Sequence, residues 1–423
     1  MATIRTLRAR EILDSRGEPT LEVVLGLDTV SAVASVPSGK STGSHEALEL
    51  RDNDPHRYFG RGVHKAVANV NDELRNALLG KTFEQAELDS FLRGLDGTPN
   101  KSRLGANALL GISMAFARAC AEEKGAPLYA HLGNLAGNSA PALPQPMFNI
   151  LNGGKHADSG LDIQEFMLAP VAFDTFAEKV RVGSEILHTL HDLLTQKGYS
   201  TGVGDEGGFA PKLHSNEEAL ELMVAAIELA GYNTEQVKIG IDAAASSFYN
   251  DGKYTLKING EAKTLSSAEL IVWYQSLAAQ YPLMLIEDGL AEDDWDGFTS
   301  LTQAMGDTDS TGSPQATIIV GDDLLVTTIQ RIQTAIEKNA VNAVLIKPNQ
   351  IGTVTEAIEA VLLTKKQGWK PFASHRSGET TDTFIADFAV GLACPLIKSG
   401  SLMRGERVCK YNRLMEIEKQ LAV

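Results

Sequence analysis

Apolar and polar positions change their rhythm about a third of the way along the chain. Near the start, Thr20-Leu-Glu-Val-Val-Leu-Gly-Leu27 is β-branched and partly alternating, which predicts a strand. From about Gly62 to Gly125 the period becomes helical, with Gly80, Gly94 and Gly125 as stops. The stretch Leu104–Ala117 carries no charge, which predicts a buried helix too short to cross a bilayer. Strands followed by segregated helices suit an α+β domain. Residues 131–146 then gather prolines, glycines and asparagines and read as a linker, so the domains are placed at 1–135 and 136–423. The remaining ~280 residues alternate short apolar runs with helical stretches and suit one α/β barrel, which needs about 250. Ser215-Asn-Glu-Glu218 and Ser266-Ser-Ala-Glu269 predict capped helix starts. Asp307–Pro314 reads as a polar surface loop.

Composition narrows the partners. With 38 Lys+Arg against 54 Asp+Glu the net charge is −16, which argues against nucleic acid or an anionic membrane as the main partner. A small anion bound by a few cations and a metal stays compatible. No apolar run follows the first arginines, so neither a secretory signal nor a membrane span is expected. Three cysteines, Cys120, Cys394 and Cys409, with no Cys-x-x-Cys, predict free thiols and a cytoplasmic location.

The chemistry lies in how the apolar runs of the second half end. Val237–Asp242, Leu283–Glu287, Ile318–Asp322, Ala343–Lys347, Pro371–His375 and Pro395–Lys398 each close on a titratable residue, at intervals of 45, 35, 25, 28 and 23 residues. In a barrel the C-terminal ends of parallel strands share one face, where active sites sit. Three carboxylates, two lysines and a histidine therefore converge. The carboxylates repel unless a cation holds them, and oxygen-only ligands favour Mg²⁺ or Mn²⁺ over Zn²⁺. A lysine beside other cations has a lowered pKa and can serve as a base, while the metal takes up enolate charge. Glu165, set opposite in facing to Gln164 on a possible strand, and Asp205-Glu206 in a glycine-rich loop add acids. Asn152–His156 and Ser374–Gly378 add anion-binding donors.

Asp14–Gly17, Val36–Gly43, Gln164–Met167, Gly204–Pro211, Ile241–Ser247, Ile286–Gly289, Gly321–Leu324, Leu345–Thr353 and Ser374–Thr380, in that order, resemble the enolase family (phosphopyruvate hydratase) over essentially the whole chain. The resemblance implies a small N-terminal α+β domain followed by a modified TIM-type (β/α)8 barrel that opens ββαα. It implies reversible dehydration of 2-phosphoglycerate to phosphoenolpyruvate. Lys347 then matches the base and Glu206 the acid, with Glu165 beside it. Asp242, Glu287 and Asp322 match metal ligands, and Ser41 a ligand to a second Mg²⁺ that arrives with substrate. Lys398 matches a contact to the substrate carboxylate, Arg376 and Ser377 the phosphate binders, and His156, Gln164 and His375 further substrate contacts. Members are commonly homodimers, some octamers.

Two residues depart from the family pattern: Lys40 where a small residue is usual, and Pro348 directly after the base lysine. Lys40 also completes a relaxed phosphate-loop pattern, Ala34–Ser41, but Pro37 removes an N–H and no helical pattern starts at Lys40, so nucleotide binding is not expected. Another metal-dependent lyase, racemase or cycloisomerase, and a non-catalytic protein on the same scaffold, are the alternatives. The Gly-Asp-Glu-Gly-Gly loop together with His-Arg-Ser-Gly speaks against the first, and intact candidate catalytic residues against the second.

Overall fold

A computed structural model describes residues 1–40, 42–306 and 316–422. Ser41 and the predicted polar loop at 307–314 lie outside the described residues. The N-terminal unit carries an antiparallel sheet of β1 (Thr6–Leu13), β2 (Pro19–Gly26) and β3 (Ser31–Ser35) in that spatial order. The helix Ala106–Glu123 lies on this sheet, and its uncharged centre is buried as the composition predicted. Gly111 makes the close approach possible: a Cβ there would stand 2.6 Å from a Val23 methyl.

Three expectations need correction. Gly94 does not stop a helix but lies inside Gln85–Asp96, which ends on Gly97 with φ 71°. Gly80 and Gly125 do follow helix ends, with φ of 76° and 62°. The segment 131–146 is not all linker, since His131–Leu135 complete the helix Leu128–Leu135, where apolar Leu132 is buried. The two capped starts also differ. Ser266 and Glu269 exchange bonds both ways, whereas Ser215 caps alone because the Glu218 carboxylate goes to the His214 N–H and the Tyr199 hydroxyl.

The second unit is a closed eight-stranded barrel: β4 (Gln145–Asn152), β5 (Glu165–Pro170), β6 (Val237–Asp242), β7 (Leu283–Glu287), β8 (Ile318–Gly321), β9 (Ala343–Ile346), β10 (Lys370–Ser374) and β11 (Leu396–Lys398), neighbours in chain order with β11 closing on β4. β5 runs against both β4 and β6, and the other pairs are parallel. Two helices, Phe176–Gln196 and Asn216–Leu229, follow β5 before the βα units begin, the expected ββαα opening. The long interval after Asp242 holds an extra antiparallel sheet, Tyr249–Asn250, Lys253–Ile258 and Glu261–Leu265, that the spacing alone did not reveal. The lumen is filled by alternate strand residues, among them Met147, Met167, Leu285, Val320, Leu345 and Phe372.

The units are joined beside the barrel's mouth. Ser38 and Gly378 exchange backbone hydrogen bonds of 2.8 and 2.9 Å as an antiparallel bridge. The Arg118 guanidinium grips both carboxylate oxygens of Asp382. The chain after Ser38 therefore passes across the C-terminal ends of the barrel strands.

Candidate active site

The strand-end residues meet at one rim. Asp242 ends β6 and Glu287 ends β7, opposed in register, and Lys398 ends β11. Asp322, Lys347 and His375 each stand one residue beyond their strands. Pro348 fits there because it takes the first position of the short helix Pro348–Ile351, where an N–H has no intrahelical partner.

Glu165 reaches the same rim by the opposite route. It is the first residue of the reversed strand, paired with Asp242 and Asn152. Gln164 precedes the strand, so the alternation that would set it on the opposite face does not apply. Its Nε2 donates to Asp242 Oδ2 at 3.1 Å, and both residues line the cleft. With them in this small cleft are His156, Glu206, Asp242, Asp322, Lys347, His375, Arg376, Ser377 and Lys398, joined by Ser374. Glu287 is fully buried beneath. A larger surface groove beside Arg118 and Arg413 contains none of these residues.

The two lysines have different company. Lys398 Nζ lies 2.7 Å from Glu287, 3.1 Å from Glu165 and 3.7 Å from Asp242. Burial works against its charge, but these carboxylates outweigh it and hold its pKa well above the usual lysine value. Lys347 Nζ pairs with Asp322 Oδ2 at 2.5 Å. Burial lowers its pKa and Asp322 raises it, with a net rise, opposite to the lowering expected from neighbouring cations. Asp322 itself sits below the usual range, because Lys347 and Lys398 overcome the effect of burial.

Across the barrel, one donor atom each of His156, Glu165 and Glu206 lies within 4.8 Å of the others. Two buried carboxyls this close titrate as a pair. Burial, then Glu206, drive Glu165 well up. Glu206, which burial alone would raise, is held down by the hydrogen bond from His375 and by the charge of Arg407. Asn149 Nδ2 donates to Glu206 Oε2 at 3.0 Å. His375 is pushed down to about 3 by burial and is neutral. Arg407 Nη1, a donor only, faces its Nδ1 at 2.5 Å, which leaves the proton on Nε2, 3.4 Å from Glu206 Oε2.

Several supporting residues were given no role by the sequence, although Asp288 and Gln350 lie within the motif stretches Ile286–Gly289 and Leu345–Thr353. Arg407 is fully buried and donates to the carbonyls of Arg376, Ser377 and Asp205. Asp288 accepts from the N–H groups of Asp322 and Asp323, both at 2.8 Å. Gln350 Nε2 donates to Asp322 Oδ1 at 2.9 Å. Their side chains act through backbone groups and neighbours, which no spacing rule encodes.

Comparison with known proteins decides the family. The model of the enolase N-terminal domain matches residues 4–132, and that of the enolase C-terminal TIM barrel domain matches 140–423. The chain is 53% identical to Enolase 1 of Methylococcus capsulatus over 423 residues, 99% of this chain and 98% of that protein. The chain belongs to the enolase family. It is accordingly a lyase of the phosphopyruvate hydratase class.

An enolase requires a divalent metal, and the donor set fits one. Asp242 and Glu287 end, and Asp322 directly follows, three neighbouring strands, and all three offer only oxygen. Glu287 Oε2 is buried without a hydrogen-bond partner, and burial followed by Asp242 drives its carboxyl well up. A cation relieves both. The tighter acidic group at this rim, among the described residues, is Asp288, Asp322 and Asp323 rather than the three strand-end carboxylates together. No helix among the described residues is long and apolar enough to cross a membrane.

Proposed function

We propose that the cleft performs the reversible dehydration of 2-phosphoglycerate to phosphoenolpyruvate, with Lys347 as base and Glu206, partnered by Glu165, as acid. The observation that carries this reading is the placement of the two groups. β9, which leads to Lys347, and β5, which begins at Glu165, stand four places apart in a ring of eight strands, on opposite sides of the barrel. A substrate between them exposes C2 to one and its 3-hydroxyl to the other. Lys347 takes the C2 proton. The carboxyl pair gives a proton to the departing hydroxyl, the C–O bond breaks, the C2–C3 double bond forms and water leaves. Lys347 must first lose its ammonium proton to solvent, which requires the Asp322 carboxylate to be drawn away from it, before its nitrogen can accept the proton from C2.

Asp242, Glu287 and Asp322 are the residues we assign to a Mg²⁺ ion, with Ser41 assigned to a second that comes with substrate. Mg²⁺ supplies stabilisation of the enolate charge. Lys398 keeps its charge and is assigned to the substrate carboxylate, Arg376 and Ser377 to the phosphate, and His156, Gln164 and His375 to further contacts. Formation of phosphoenolpyruvate, followed by its absorbance with and without Mg²⁺, tests the reading, and no product with Mg²⁺ present would overturn it.

The same reading includes a capping domain over 1–135 and a catalytic barrel over 136–423, a cytoplasmic location suited to the three free cysteines, and assembly as a homodimer or an octamer of dimers. Phe59, 96% exposed, is the kind of side chain such assembly would cover. Light scattering measures the assembly.

A further inference from the structure

Arg376 belongs to the barrel and Glu46 to the N-terminal unit, yet they form a two-pronged ion pair. Glu46 Oε2 accepts from Arg376 Nη1 at 2.9 Å and Oε1 from Nη2 at 3.0 Å. Asn349 Oδ1 accepts from Nη1 at 3.0 Å. The Arg376 and Glu46 side chains are only 3% and 9% exposed. Glu46 is itself held, since its Oε1 also accepts from the Gly43 N–H at 3.1 Å and from Gln350 Nε2 at 3.4 Å. A fork-on-fork contact of this kind fixes the guanidinium plane as well as its position.

We infer that Glu46 is a positioning residue, the N-terminal unit's contribution to orienting the Arg376 guanidinium toward the phosphate of the substrate. This rests on the assignment of Arg376 as a phosphate binder. An arginine side chain has several rotatable bonds, and a buried carboxylate that engages two of its nitrogens removes most of that freedom before substrate arrives. The pair also explains why the chain after Gly43 is anchored so close to the cleft: one carboxylate serves both the Gly43 turn and the guanidinium.

The test measures KM for 2-phosphoglycerate, kcat, and the inhibition constant of inorganic phosphate at fixed Mg²⁺, for the wild type, Glu46→Gln, Glu46→Asp, Arg376→Ala and the double variant Glu46→Gln/Arg376→Ala. Glu46→Gln is expected to raise KM and the phosphate constant together by roughly 10-fold, the scale of a hydrogen bond to a charged group, with kcat changing less. Glu46→Asp keeps the charge and recovers part of the loss. In the Arg376→Ala background the Glu46 substitution adds no further weakening. Asp382→Asn, which loosens another ion pair between the two units, lowers the melting temperature and leaves the phosphate constant unmoved.

A phosphate constant unchanged in Glu46→Gln but raised in Arg376→Ala would overturn the role of Glu46 and leave that of Arg376. An unchanged constant in Arg376→Ala would overturn the phosphate assignment itself. If Glu46→Gln does not fold, Glu46→Asp decides, and a constant equal to wild type contradicts the inference.

Discussion

Lys40 reaches across the mouth of the barrel to Asp205, its Nζ 2.7 Å from Oδ2, while its backbone N–H donates to Ser377 Oγ at 2.8 Å. The residue that departs from the family pattern thus ties the crossing segment to the loop that carries Glu206. Among the described residues, 42–50 carry no helix.

The Lys40 side chain is 44% exposed and that of Asp205 29%, so the pair contributes modestly and is weakened by salt. Lys40→Ala is predicted to raise KM by about 2- to 5-fold at low ionic strength, the range of an exposed ion pair, with kcat little changed. The difference shrinks as salt is added. Steady-state kinetics across a salt series check this, and equal KM values throughout contradict it.

Divalent metal dependence follows from the donor set at the ends of β6, β7 and beyond β8. Asp322→Asn removes one carboxylate oxygen and the partner of Lys347 together. Calorimetric titration with Mg²⁺ is predicted to show weaker binding, and the rate to fall by orders of magnitude. Full activity after exhaustive chelation would contradict the metal assignment.

His131 offers a test of pH dependence outside the cleft. Burial, with Lys124 nearby, pushes it down to about 4. A group whose folded pKa lies below its unfolded value binds more protons when unfolded, so it costs stability as pH falls from about 6.5 toward 4. His375 acts in the same direction. Glu165 and Glu287, whose pKa values rise on folding, act in the opposite one. The readout is therefore the difference between wild type and His131→Leu. The variant is predicted to lose less melting temperature between pH 6.5 and 4, and parallel curves would contradict it.

The barrel was legible because strand ends declare themselves. Asp242, Glu287, Asp322, Lys347, His375 and Lys398 follow apolar runs that are strands, and closure of the sheet brings their ends together without further information. Glu165 was harder. It lies at the start of its run, and only the reversal of β5 turns a start into a place on the active rim. Glu46, Asn149 and Arg407 were invisible for another reason. Each contributes by touching a neighbour brought close by folding, and nothing in local spacing marks such a contact. Gly94 misled because a helix tolerates an interior glycine on its exposed face at a cost of about 1 kcal/mol.

Exchange of the substrate's C2 proton with solvent deuterium tests the central claim most directly, because it separates the base from the acid on opposite sides of the barrel. Lys347→Ala is predicted to abolish exchange. Glu206→Gln is predicted to retain it while losing dehydration by about 10²–10⁴-fold, the range for removal of a general acid. Exchange that persists in Lys347→Ala and disappears in Glu206→Gln would contradict the assignment of both roles.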